Sequence, residues 1–163
     1  MTHPQLPWKG ACRCGQVRFV VTGPPMLTMA CHCTGCQKMS SSAFSASTAF
    51  RAEHFTVTQG EPVVGGLHGD PVHYFCPYCM SWMFTRPAQV PWMVNVRTTM
   101  LEAPADLPPF AETYVSEKLP WAETGAEHSY DRFPAFEEFG ALGIAFSERW
   151  AAETGAPASR MGP

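Results

Sequence analysis

The stretch Gly10-Ala-Cys-Arg-Cys-Gly-Gln-Val-Arg-Phe19 places two cysteines, Cys12 and Cys14, immediately ahead of an alternating apolar segment. Residues 16–22 (QVRFVVT) read as a strand, with Val17, Phe19 and Val21 on one face and a Gly-Pro-Pro stop behind them. Two thiols therefore emerge from a turn at the mouth of a strand, a placement that suits a metal clasp on a β framework.

The other cysteines fall into two further clusters, Cys31, Cys33 and Cys36 in a C-H-C-x-x-C run and Cys76 and Cys79 in a C-x-x-C run, which accounts for all seven. An odd number cannot be closed by internal disulfides, and such short spacings suit thiolates converging on one ion better than cross-links. Zinc is the natural ion, because it accepts tetrahedral sulfur shells and takes four protein ligands in structural sites. Two clusters of two make one closed four-sulfur site, whereas the cluster of three makes a site one ligand short. Joining Cys12 and Cys14 to Cys76 and Cys79 would fasten the amino-terminal strand to a distant part of the chain. The plainer alternatives are isolated buried cysteines or a thioredoxin-like redox pair.

Three thiolates leave zinc an open position, the arrangement of metal sites that bind something exchangeable. A free thiol is the obvious guest, since the ion lowers the proton affinity of any sulfur it binds and so presents a nucleophile at neutral pH. The trio already carries net negative charge, so a fourth thiolate binds weakly unless a cation such as Arg13, Arg18, Lys38 or Arg86 lies close. His32 sits between two of these cysteines on an extended segment, which points its ring to the opposite face and suits a supporting hydrogen bond or a substrate contact rather than ligation. His3, His54, His68, His73 and His128 lie in unrelated contexts and read as surface or core residues.

At 163 residues the chain is the size of one domain plus a tail, and its net charge of -3 argues against a general nucleic-acid binder. No segment has the apolar length of a signal peptide or a bilayer span, so no membrane partner is expected and the expected location is cytoplasmic, where thiols stay reduced. Prolines and glycines cut the chain into short pieces, the habit of a mainly β fold. Strands are predicted at 27–33, 43–50, 55–59, 72–75, 82–85 and 92–98, with one more edge strand at 112–115 and a single helical turn near 34–40. Residues 134–153 differ, because Phe136, Phe139, Leu142, Phe146 and Trp150 recur at helical spacing and define a face that packs on the domain or on a second subunit of a homodimer. Gly140 and Gly143 weaken that helix, and 154–163 reads as a loose tail. Trp82, Trp92 and Trp121 read as buried aromatic core, with the lining of a pocket as the alternative.

Gly10 to Phe19, the C-H-C-T-G-C-Q-K run at Cys31 to Lys38 and the F-C-P-Y-C run at Phe75 to Cys79 resemble the glutathione-dependent formaldehyde-activating enzyme family, whose superfamily includes the centromere protein V group. Echoes at Thr113 to Trp121 and Phe133 to Phe139 extend the match to about residue 139. The resemblance implies antiparallel zinc-containing sheets of the β-tent type over 8–139, followed by a carboxyl-terminal helical extension and tail over 140–163. It implies a structural zinc on Cys12, Cys14, Cys76 and Cys79, and a second zinc on Cys31, Cys33 and Cys36 as the catalytic residues. There glutathione would add to formaldehyde, giving S-hydroxymethylglutathione, which makes the expected activity that of a carbon-sulfur lyase. The resemblance, and not the spacing, assigns those partners. The chain departs from the family pattern at Met80, where glycine is usual, and at Glu112, where histidine is common; an acidic group facing the site would repel an anionic thiol. The alternative function is a non-catalytic zinc module that binds a protein or nucleic-acid partner, and a third is metal storage through the trio.

Overall fold

The computed structural model describes residues 5–67 and 69–162, so His3 and His68 lie outside the described residues. Along the chain run β1 (Trp8–Ala11), β2 (Arg18–Val21), β3 (Leu27–Cys31), α1 (Thr34–Ser40), β4 (Ser45–Arg51), β5 (Phe55–Gln59), β6 (Val63–Gly65), β7 (Pro71–Phe75), β8 (Trp82–Pro87), β9 (Met93–Arg97), β10 (Ala111–Thr113), β11 (His128–Tyr130) and α2 (Phe136–Thr154). The strands form two sheets, a three-stranded one in the order β1-β2-β5 and an eight-stranded one in the order β11-β10-β3-β4-β9-β8-β7-β6. The fold is mainly β, with two sheets and a carboxyl-terminal helix. No helix among the described residues is long and apolar enough to cross a membrane.

The small sheet packs on one face of the large one. Val17, Phe19, Val21 and Phe55 from the first meet Phe50, Phe84, Val94 and Val96 from the second, all buried, with Phe55 and Phe84 rings 4.8 Å apart. The alternation that sends these side chains inward sends Ser45, Ser47, Asn95 and Arg97 to the opposite face. Gly10 is required by the same packing, since a Cβ there would sit 2.1 Å from the Phe19 ring.

Two expectations are corrected. The large sheet is mixed rather than antiparallel, because β10 pairs parallel with both β3 and β11, and β10 is therefore interior rather than an edge. After β9 the chain passes through short 3-10 turns at Thr98–Met100 and Pro104–Asp106 before pairing on the far side of β3, a connection long enough to permit a parallel partner. Strands β1, β6 and β11 had no counterpart among the predicted segments, being three or four residues long.

The predicted helix is present as α2, with Leu142, Phe146 and Trp150 buried against the chain's own core. Trp150 meets Trp8 edge-on at 5.9 Å and Phe146 meets Phe110 at 5.5 Å. Phe136 departs from that stripe and stands 82% exposed at the helix start. Gly143 is not a weakness here, because a Cβ at that position would meet Met161 at 2.3 Å. The segment beyond α2 is tied down by Ser159, whose hydroxyl donates to Pro24 O at 2.9 Å, and by Arg51, which donates to Gly162 O at 2.9 Å.

Candidate metal centres

Cys12 and Cys14 occupy the turn between β1 and β2, and Cys76 and Cys79 the turn between β7 and β8, so one group of sulfurs joins the two sheets. All four ligand atoms lie within 4.8 Å of one another, with Cys12 and Cys14 Sγ 3.4 Å apart and Cys14 and Cys76 Sγ 3.7 Å apart. These are far beyond a disulfide bond and near the roughly 3.8 Å edge of a tetrahedron with 2.3 Å zinc-sulfur bonds. Backbone groups fix the sulfurs: Val17 N donates to Cys12 Sγ at 3.3 Å, and Met80 N donates to Cys76 O at 3.1 Å.

Cys31, Cys33 and Cys36 form the second group, again with all ligand atoms within 4.8 Å, and no histidine or carboxylate joins them among the described residues. Cys31 ends β3, Cys33 caps α1 by accepting a bond from Cys36 N at 3.3 Å, and Cys36 lies on the first turn of α1. The short helix is pinned from outside. Thr34 N donates to Glu117 Oε2 at 2.6 Å, and Gln37 Nε2 donates to His32 O at 2.6 Å and to Glu117 O at 3.0 Å. The Cys31 thiol is acidified to about 5, first by the neighbouring Cys36 thiol, against the opposing effect of burial, and then by Cys33 N. The Cys36 thiol is pushed up by the same partnership with Cys31. A donor set of three convergent sulfurs, one already disposed to ionise, fits a thiophilic cation.

His32 is fully buried and turns away from the trio, as expected of an alternating strand. Its Nε2 donates to Glu112 Oε2 at 2.9 Å, and its Nδ1 has no hydrogen-bond partner among the described residues. Glu112 also takes bonds from Lys118 Nζ at 2.9 Å, Thr124 Oγ1 at 2.8 Å and Ser129 Oγ at 2.8 Å. Burial alone would raise the Glu112 carboxyl, but these donors, Lys118 foremost, hold it down at about 2. The feared repulsion is thus absent, since Glu112 lies on the face opposite Thr113 and the trio and its charge is matched by Lys118.

The cation at the trio is Arg97, which the sequence did not single out. It is buried on β9, its Nη1 donates to Ser45 Oγ at 3.3 Å, and its guanidinium stacks over the Trp82 ring at 4.0 Å. Ser45 pairs in register with Cys31. Burial lowers the Arg97 pKa to about 10, against the charges of Cys36 and Cys31, so the group remains a cation near neutrality. Of the cations proposed from sequence, Arg18 donates instead to Gly15 O at 3.1 Å and Arg86 lies over the Phe55 and Phe84 rings. Alternation in 92–98 carried a signal for Arg97, since it is in phase with Asn95 on the face away from Val94 and Val96. The neighbouring strand that would complete the argument is distant in sequence. Trp82 is buried as predicted, Trp92 is only partly buried, and Trp121, expected in the core, is 72% exposed. Outside these groups, His73 Nδ1 contacts Thr85 Oγ1 at 2.9 Å, and His128 packs on the Phe110 ring at 4.8 Å.

Comparison with known proteins agrees with this architecture. No curated protein matches the chain. Among solved structures, it is similar to the crystal structure of a Rhodobacter sphaeroides protein, a Northeast Structural Genomics target, with 22% identity, a TM-score of 0.50, and coverage of 64% of this chain and 99% of that one. That likeness is one of fold. The profile described as glutathione-dependent formaldehyde-activating enzyme matches residues 7–117, a span holding both cysteine groups and Arg97. On that match, the chain belongs to the glutathione-dependent formaldehyde-activating enzyme family.

Proposed function

We propose that the chain binds a small thiol of the glutathione type at Cys31, Cys33 and Cys36 and forms or breaks a thiol-aldehyde adduct there, the chemistry of a carbon-sulfur lyase. The observation that carries this reading is the inequality of the two sulfur groups, one a complete quartet and the other a trio that no further cysteine, histidine or carboxylate joins among the described residues. Zinc suits both sets; at the trio it would supply a lowered proton affinity to an incoming thiol. The quartet then acts as the structural clasp of a zinc-containing β-tent. Seven free thiols suit a reducing, cytoplasmic setting.

The chain's own groups divide the remaining work. Arg97 offsets the accumulated thiolate charge from a buried position, where Coulomb attraction is screened far less than at the surface. Ser45, held by Arg97, faces Cys31 across the strand pair, and Cys36 N fixes the Cys33 sulfur. Glu117 and Gln37 hold α1, and His32 with Glu112 stiffens the strand pair behind it. In the reaction the thiol proton leaves, the sulfur adds to the carbonyl carbon, and the carbonyl oxygen takes up a proton, so no electron acceptor is needed.

Exchange between glutathione, 13C-formaldehyde and their adduct, followed by NMR on zinc-loaded protein, tests this directly. We expect exchange accelerated at least tenfold over buffer, loss of the acceleration in Cys33→Ser, and roughly tenfold weaker thiol binding in Arg97→Met, the order of one lost charge-assisted interaction. Exchange no faster than in buffer, with two zinc ions bound, would contradict the proposal.

A further inference from the structure

The face of the large sheet that carries the trio continues into a cavity. On β3, Leu27, Met29 and Cys31 alternate onto this face, and register carries it sideways from Leu27 to Ala49, Asn95, Thr85 and His73. Beyond Met29, two residues or about 7 Å along the strand from Cys31, lies a cavity of about 450 Å³ with Phe139 in its wall and the exposed Phe133 and Phe136 at its rim. Its remaining walls include Trp92 and Met93, so its lining is almost wholly apolar. Thr85 and Asn95 are the polar residues of the lining; the Thr85 hydroxyl is partnered by His73, whereas Asn95 Oδ1 is buried with no hydrogen-bond partner among the described residues. Arg97 and Ser45 share this face of the sheet with the trio without lining the cavity, and Arg97 Nε likewise has no hydrogen-bond partner among the described residues.

A space of this size and character falls within the range of small-molecule sites. Formaldehyde, with a single carbon, would leave it empty. A glutathione-like thiol, with two carboxylates and an ammonium group, cannot place those charges against apolar walls without losing their hydration. The group that fills the cavity must then be carried by the other reactant, the carbonyl compound whose carbon joins the thiol sulfur.

We propose that the aldehyde handled at the trio bears an apolar chain or ring of about six to ten carbons, seated in the cavity between the sheet and the start of α2. This rests on reading the trio as a thiol-adduct site. The product is the corresponding S-(1-hydroxyalkyl) thiol, formed by addition of sulfur to the carbonyl carbon and a proton to its oxygen.

The test uses zinc-loaded protein and three measurements. First, 1-octanol, which cannot react, is titrated by calorimetry; saturable binding is expected, and it is lost in Ala49→Leu and Val90→Trp, two independent ways of filling the space. Second, glutathione adduct exchange is measured with formaldehyde, butanal and octanal; efficiency is expected to rise about threefold per methylene, the gain of burying each CH₂, and to fall at least tenfold for octanal in either filled variant. Third, octanethiol with formaldehyde is compared with glutathione and octanal, and the second pair is expected to be preferred. Formaldehyde exchange without any gain from chain length overturns this proposal and leaves the adduct site standing. Octanol binding with no accelerated exchange for any aldehyde overturns both, and preference for octanethiol with formaldehyde assigns the cavity to the thiol and overturns the aldehyde assignment.

Discussion

At Met80 the backbone has a φ of 57°, a left-handed conformation that L side chains other than glycine adopt at a cost, and its side chain is 58% exposed. The glycine that the family resemblance leads one to expect here would have a plain cause: the chain must turn back after Cys79 so that Met80 N can reach Cys76 O. Met80→Gly is expected to stabilise the protein by about 1 kcal/mol, read as a higher urea midpoint with unchanged slope. Glu112 offers a second measurement. Its carboxyl is depressed from 4.5 to about 2 in the folded chain, so its contribution is complete above pH 4.5 and disappears as pH falls from 4.5 towards 2. Glu112→Gln should cost up to about 3 kcal/mol at pH 6, and the gap should narrow as acid enters that window. A gap independent of pH would show that the network owes nothing to the charge.

The elements divide into those that local pattern announces and those that only pairing creates. The 55–59 strand appears with the predicted bounds, and α1 occupies the short segment where one helical turn was foreseen, because alternation, caps and turn residues act over a few neighbours. Strand β10 was foreseen as an edge, yet it sits between β3 and β11, a placement fixed by partners about 80 and 17 residues away that no local window contains. Helix α2 was legible from its apolar spacing, and its function in the fold is anchorage through Trp150 on Trp8 and Phe146 on Phe110. Trp150→Ala should therefore destabilise by about 3–5 kcal/mol, the usual effect of emptying an aromatic site in a core. A thermal melt unchanged by that substitution would show that the helix merely rests on the surface.

Across the whole molecule, the two sulfur groups serve different ends of one design. The quartet bridges the small sheet and the large one, while the trio sits at the end of β3 on the face that leads to the cavity. The cysteine groups were legible because cysteines are few and their spacing short. Arg97 was not, because its meaning depends on β9 lying beside β4, and β4 beside β3. Nor was the cavity, which is assembled from β3, β4, β7, β8, β9 and residues leading into α2. The central claim is that one sulfur site is complete and the other waits for a thiol. Zinc-edge X-ray absorption on protein carrying two zinc ions reads the sulfur count at both sites together. The account predicts an average of about 3.5 sulfurs per zinc that rises to about 4 when glutathione is added; four sulfurs per zinc from the outset, or an average unmoved by the thiol, would contradict it.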